Sequence, residues 1–210
     1  MERKRKFWGW GIEGEGPSAE QAKGVAKLLS AGFGGVALEQ REPPRIQDIT
    51  LPAPRMAPPA SLAGIGSSEP LDRAGHSYGK SFRDVVRALR GEFPSPPDFV
   101  AWPRSEAEVV SLLDWCDSSR VAAIPYGGGS SVVGGVETSV DGDYAGVVSI
   151  DLGELNRVLD IDRISRTARI QAGVLVPALE YQLLPHGLTL RHFPQSLDFS
   201  SLGGWFATRA

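Results

Sequence analysis

A chain of 210 residues, 41% hydrophobic and 22% charged, can bury one sizeable core and has the balance of a protein that folds in water. Its formal net charge of -3 gives no general attraction to nucleic acid or anionic lipid, since both require an excess of Lys and Arg on one face. No stretch approaches the roughly 18 apolar residues of a membrane helix, the N-terminus lacks the apolar core of a secretion signal, and the single cysteine, Cys116, has no internal partner. A reducing, cytoplasmic location is expected.

Met1 to Lys6 holds five charged residues, four of them Lys or Arg, and reads as a solvated tail, with contact to an acidic lipid surface as its alternative use. Phe7-Trp8-Gly9-Trp10-Gly11 is too short and glycine-broken for a helix, and its two indoles require a partner surface. Ser18 followed by Gln21 is a capping box, after which Ala22, Val25, Leu28 and Leu29 share a helical stripe that ends at Gly32. From Arg41 to Pro70 seven prolines and no sustained apolar period predict an extended, weakly ordered connector. Ser81 with Asp84 opens a second capped helix through Val85, Val86 and Leu89, stopping at Gly91.

Asp98 to Pro103 reads as a strand, and Ser105 with Glu108 starts an amphipathic helix carrying Val109, Leu112, Leu113 and Cys116. Val121 to Pro125 and Gly146 to Ile150 are short buried strands. Arg157 to Ile161 and Thr167 to Gln171 alternate polar and apolar residues across a turn at Asp162 to Arg166, the pattern of a hairpin with one wet face. Val176 to Leu184 is a helix closed by Pro185 and Gly187. Parallel and antiparallel signals together predict an α+β fold, with residues 1–71 as an N-terminal helix and proline-rich arm and residues 72–210 as the main domain.

Tyr126-Gly127-Gly128-Gly129-Ser130-Ser131 directly follows the strand that ends at Pro125. Consecutive glycines can take positive φ and turn successive N–H groups toward one point, a hollow suited to phosphate oxygens, with Ser130 and Ser131 adding hydroxyl donors. Taken alone, a glycine triplet is a turn joining two strands. Other phosphate motifs are missing: there is no GxxxxGK[ST], and the one near match to GxGxxA, Gly32 to Ala37, follows a helix rather than a strand. The absence of GxSxG leaves hydrolase chemistry unsupported.

Pro125-Tyr126-Gly127-Gly128-Gly129-Ser130-Ser131-Val132, together with Gln195-Ser196-Leu197-Asp198-Phe199-Ser200-Ser201-Leu202-Gly203-Gly204-Trp205 and Thr208-Arg209-Ala210, resembles the vanillyl-alcohol-oxidase, or PCMH, type of FAD-binding domain. Within that type the Ser-Leu-Asp-Phe-Ser segment is similar to the alkyldihydroxyacetonephosphate synthases of ether-lipid synthesis and to bacterial FAD-linked oxidases. The resemblance runs from about Asp72 to Ala210, with a weaker echo in Trp8-Gly9-Trp10-Gly11. It implies two small α/β subdomains, the second incomplete, preceded by the proline-rich arm.

The resemblance assigns Pro125, Tyr126, Gly127, Gly128, Gly129, Ser130, Ser131 and Val132 to the FAD pyrophosphate. It assigns Gln195, Ser196, Leu197, Asp198, Phe199, Ser200 and Ser201, and then Thr208, Arg209 and Ala210, to further flavin contacts. Capping of a helix that starts near Leu202 is the competing use of Ser200, Ser201 and Thr208. Relatives that bind flavin covalently carry His directly after the glycines; Ser130 stands there, so FAD should be noncovalent and dissociable. Gln195 replaces an Asp of the synthase pattern, which removes a charge.

His192 beside the second segment suits proton transfer or a structural hydrogen bond. His76 and His186 sit in turns with no second ligand at metal spacing, so no metal is expected. Trp205 reads as a core anchor or a flavin neighbour, and Arg209 as a phosphate partner or a solvated helix end.

In the resembled family the chain continues past the position of Ala210 into a substrate domain that holds the catalytic residues, so no catalytic residue is assigned. The implied activity is acyl-to-alkyl exchange on dihydroxyacetone phosphate. The alternatives are an FAD-linked oxidoreductase of a hydroxy acid or alcohol and a catalytically inert, truncated FAD-binding module. The implied partner is a small-molecule lipid or hydroxy-acid substrate, with no nucleic acid, and oligomeric state is left open, a homodimer included.

Overall fold

The computed structural model describes residues 4–39 and 41–210. Helix α1 (Ala19–Gly32) begins where the sequence places it: Ser18 Oγ accepts from Gln21 N at 3.2 Å while Ser18 N donates to Gln21 Oε1 at 2.8 Å. None of its residues is buried, so the stripe of Val25, Leu28 and Leu29 faces outward. The proline-rich segment then passes through a single 3-10 turn (Ile46–Asp48) to the short helix α2 (Ala60–Ala63) and strand β1 (Gly66–Ser67).

Helix α3 (Pro70–Gly75) takes Pro70 at its first position, where a missing N–H costs nothing. Helix α4 (Phe82–Leu89) has the Ser81–Asp84 box complete in both directions. Strand β2 (Phe99–Ala101) leads to helix α5 (Glu106–Ser118), whose Ser105 caps the Glu108 N–H at 3.2 Å. The Glu108 carboxylate, however, accepts from Arg104 N at 2.6 Å, one residue before the cap, so this box closes differently from the other two.

Strands β3 (Val121–Tyr126) and β4 (Gly146–Asp151) complete a four-stranded sheet in the order β1-β2-β4-β3, with β1 antiparallel to β2 and the other pairs parallel. The parallel centre explains the apolar runs at 99–101 and 146–150, the second interrupted by buried Ser149, which are covered on both faces. One core packs α5 against this sheet through Leu112, Cys116, Phe99, Val121, Val148 and Ile150.

Strands β5 (Val158–Asp162) and β6 (Thr167–Ile170) form the separate antiparallel hairpin that the sequence pattern predicts. Against it pack helices α6 (Val176–Leu183) and α7 (Leu202–Thr208), with Val174, Leu179, Leu183 and Trp205 buried among Val158, Ile161 and Ile170. These two layered units are the two small subdomains of the expected α+β architecture. Trp205 is a core anchor, and its indole N–H donates to Ser200 Oγ at 3.0 Å.

The expectation of weak order between Arg41 and Pro70 does not match the packing. Arg55 Nη2 donates to Asp98 Oδ2 at 2.7 Å, Met56 and Leu62 join the sheet core, and buried Arg73 donates to the carbonyls of Pro52 and Pro97 at 2.9 and 2.7 Å. The segment is extended, as its prolines require, yet long-range contacts tie it down. In the expected solvated tail, whose first three residues, Met1 to Arg3, lie outside the described residues, Lys4 and Arg5 are exposed and Lys6 is half-buried, yet the segment is tied to the fold. Arg5 forms a β-bridge with Ile12, and Lys6 places Nζ 5.2 Å over the Trp8 ring.

Candidate flavin-binding site

β3 delivers the glycine loop to the edge of the sheet with Tyr126 still buried. The Tyr126 hydroxyl donates to Gly75 O at 3.2 Å, and burial, reinforced by the Asp151 carboxylate, pushes its pKa up, so it stays a neutral donor. Its ring lies 4.3 Å from that of His76, whose Nε2 is 3.0 Å from Asp151 Oδ2 and whose Nδ1 is 2.8 Å from Asp72 O. Tyr126, His76 and Asp151 are thereby locked into a floor beneath the loop.

Of the three successive glycines only Gly129 adopts positive φ, at 70°. Gly127 and Gly128 serve a different need: a Cβ at Gly127 would overlap Ser201 Oγ, and one at Gly128 would overlap the Phe199 carbonyl oxygen. The missing side chains therefore let the second candidate segment press against the loop. The sequence reading, in which they clear space for a ligand, gives only part of the reason.

What remains open on the loop is its backbone. The N–H groups of Gly128, Gly129, Ser130, Ser131 and Val132 have no acceptor among the described residues. Gly128 and Gly129 are buried, where an amide without a partner costs about 1–3 kcal/mol, while Ser130 and Ser131 are half-buried and Val132 is exposed; the row as a whole can serve an acceptor with several oxygens. The turn beyond is held by Ser131 Oγ, which accepts from Gly135 N at 3.0 Å and keeps its own hydrogen to donate.

The structure joins the loop to Phe199, Ser200 and Ser201 and leaves other candidates apart. Ser201 Oγ accepts from Gly204 N at 3.4 Å as the N-cap of α7 and lies against Gly127, and Ser200 Oγ accepts from Trp205; each hydroxyl retains its hydrogen to donate. Leu197 packs on the hairpin core, Ser196 accepts the Phe199 N–H at 2.8 Å, and Gln195 and Asp198 are exposed. Thr208, Arg209 and Ala210 lie at the far end of α7, about 10 Å along the helix from Ser201 by its rise per residue. Thr208 Oγ1 already donates to Gly204 O at 2.8 Å, and Arg209 takes positive φ as the C-cap.

Three neighbours of the loop were missed from sequence: Arg5, whose Nη1 donates to Gly128 O at 2.9 Å; Lys80, whose N–H donates to Ser131 O at 2.7 Å; and Trp10, whose indole donates to Lys80 O at 3.1 Å. The indoles that required a partner surface were the available signal. Of the weighed histidines, His192 stacks edge-on to Trp205 at 4.8 Å with Nε2 buried and unpartnered among the described residues, and His186 lies on the hairpin side, remote from the loop. Two concavities, of about 210 Å³ beside Arg73 and Asp98 and about 460 Å³ beside β5, include no loop residue.

Residues 97–210 match the FAD binding domain family. The alkyldihydroxyacetonephosphate synthase of Dictyostelium discoideum is 43% identical over 138 residues, 66% of this chain and 22% of that protein. A protein of Escherichia coli K12 described as an uncharacterized FAD-linked oxidoreductase is 32% identical over 106 residues, 50% of this chain and 21% of its own length. A solved alkyldihydroxyacetonephosphate synthase superposes with a TM-score of 0.84 at 29% identity, covering 98% of this chain and 43% of the other. The chain thus spans about a fifth of the first relative's length, and no helix among the described residues is long and apolar enough to cross a membrane.

Proposed function

Because this chain belongs to the FAD binding domain family, we propose that its glycine loop holds the FAD diphosphate and that the chain serves as the cofactor-binding part of an alkyldihydroxyacetonephosphate synthase-like enzyme. The observation that carries this reading is the row of unpartnered amides from Gly128 to Val132, backed by Phe199 to Ser201. The donors fit the group: five N–H dipoles and the free hydrogens of Ser130, Ser131, Ser200 and Ser201 present no competing carboxylate to a diphosphate. FAD, when bound, supplies the chemistry of the exchange, while this chain's residues bind and orient it. The substrate is proposed to be a small lipid precursor and the setting a cytoplasmic one.

Noncovalent binding follows from Ser130, which cannot bond to the isoalloxazine. Purified protein titrated with FAD should quench flavin fluorescence in a saturable way, and acid precipitation should leave all the flavin in the supernatant. A chain that takes up no FAD at any concentration would remove the loop from this role. The oxidoreductase alternative rests on lower identity over a shorter stretch, and the two readings separate on activity measured in a protein that carries the substrate domain.

A further inference from the structure

The glycine loop has a shortage that its own residues cannot meet. Amide dipoles can orient a diphosphate, yet no Lys or Arg lies between Gly127 and Val132 to balance its charge. Two cations from distant parts of the chain stand beside the loop instead. Arg5 reaches it through the 2.9 Å bond from Nη1 to Gly128 O, and Lys80 is fixed to it by the 2.7 Å bond from its N–H to Ser131 O.

Neither cation has an ion-pair partner among the described residues. Lys80 Nζ meets only the Phe7 carbonyl, at 3.4 Å, and Asp84, the acid nearest in electrostatic reach, is taken up by Arg87 at 2.6 Å and by the Ser81 N–H. Burial first, and the Arg5 charge second, depress the Lys80 pKa to about 8. Two like charges thus stand within electrostatic reach of each other, attached to the loop through the carbonyls of Gly128 and Ser131, and an anion bridging them and the loop's unpartnered N–H groups would relieve both deficits.

The segment that brings Arg5 is anchored at each end of the site. The bridge between Arg5 and Ile12 closes a small hairpin, Phe7 and Trp8 pack on the third core beside Tyr78 and Phe93, and Gly9 is buried beside Val85. Trp10 donates to Lys80 O and packs edge-to-face on Phe199 with ring centroids 5.6 Å apart, so it touches both the Lys80 turn and the second candidate segment.

We propose that residues 4–13 are a clamp over the diphosphate subsite, in which Arg5 and Lys80 supply the positive charge for the dinucleotide and Trp10 holds the strap in place. The clamp rests on the proposal that the glycine loop carries the FAD diphosphate. It gives a role to Phe7 to Gly11, a motif to which the family resemblance assigned none.

The test uses the 210-residue chain and its Arg5→Ala, Arg5→Lys and Lys80→Met variants, with FAD affinity measured by fluorescence across a series of salt concentrations and the thermal midpoint of the apo form as a control. Arg5 is exposed, so its truncation leaves every core intact. Arg5→Ala and Lys80→Met should each weaken FAD binding about tenfold and flatten its salt dependence, and Arg5→Lys should restore most of the loss. Unchanged affinity in both neutral variants, or a loss whose salt dependence matches the parent, overturns the clamp while leaving FAD binding by the loop in place. Failure of the parent chain to bind FAD is a separate result, which removes the loop proposal and the clamp with it.

Discussion

Gly128 and Phe199 meet backbone against backbone, so closely that any Cβ on Gly128 would overlap the Phe199 carbonyl oxygen. The contact joins the end of β3 to the segment before α7, and thereby joins the two subdomains at the site. Gly128→Ala should therefore destabilise the protein without any cofactor, by about 2–3 kcal/mol, because a rigid backbone atom must move. Urea unfolding of the apo form reads this directly. Wild-type stability in Gly128→Ala would show that the loop and the second segment can separate freely.

Much of this arrangement was legible because its causes are local. Ser18, Ser81 and Ser105 announce their helices through side chains that reach only three residues, and the apolar runs of β2 and β4 mark strands buried on both faces, with the apolar run of β3 marking the edge strand beside them. Strand β1 was illegible because Gly66-Ser67 has no apolar pattern; it is a strand only because β2 offers it an edge. The order of the proline-rich segment depends on Asp98, 43 residues beyond Arg55, and Arg5 finds Gly128 across 123 residues. No local pattern encodes partners at such separations. The family resemblance located the loop and second segment, but the reason for glycine at 127 and 128 needed their neighbours.

Asp98 should be the acid-sensitive pin of the proline-rich segment. Burial alone would raise its pKa, but hydrogen bonds from the Arg55 side chain, Arg55 N and Val147 N outweigh that and hold it below the usual carboxylate value of 3.8. Its stabilisation is then fully present above pH 3.8 and lost as pH falls through the depressed folded value. Asp98→Ala should cost about 2–3 kcal/mol at pH 7, since it strands the buried Val147 N–H, with the Arg55 share reduced by that side chain's exposure. Denaturant midpoints between pH 7 and pH 3 check both statements: the variant should be weaker at neutrality and should lose less on acidification.

Cys116 should be inert in the folded chain. Burial in the core between α5 and the sheet pushes its thiol up to about 11, so almost no thiolate exists at pH 8 and reagent has no path to it. Iodoacetamide at pH 8 should leave native protein unlabelled and add one group per chain in urea. Rapid labelling of the native form would contradict the packing of α5 on the sheet.

Lys80 should separate stability from cofactor affinity. Its folded pKa of about 8 lies below the model value of 10.5, so between these limits the unfolded chain binds more protons than the native one. Stability from this group therefore rises with pH from about 8 to 10.5, and at pH 7 the native state bears the full cost of a desolvated charge that faces Arg5, with Asp84 offsetting part of it. Lys80→Met removes that cost and should stabilise the apo protein by about 1–3 kcal/mol at pH 7, while abolishing this part of the pH dependence. The same substitution weakens FAD binding if the cation faces the diphosphate, so its thermal midpoint and its affinity should move in opposite directions. A purely structural lysine would lower both, and paired melts and FAD titrations of Lys80→Met at pH 7 and pH 9 distinguish the two.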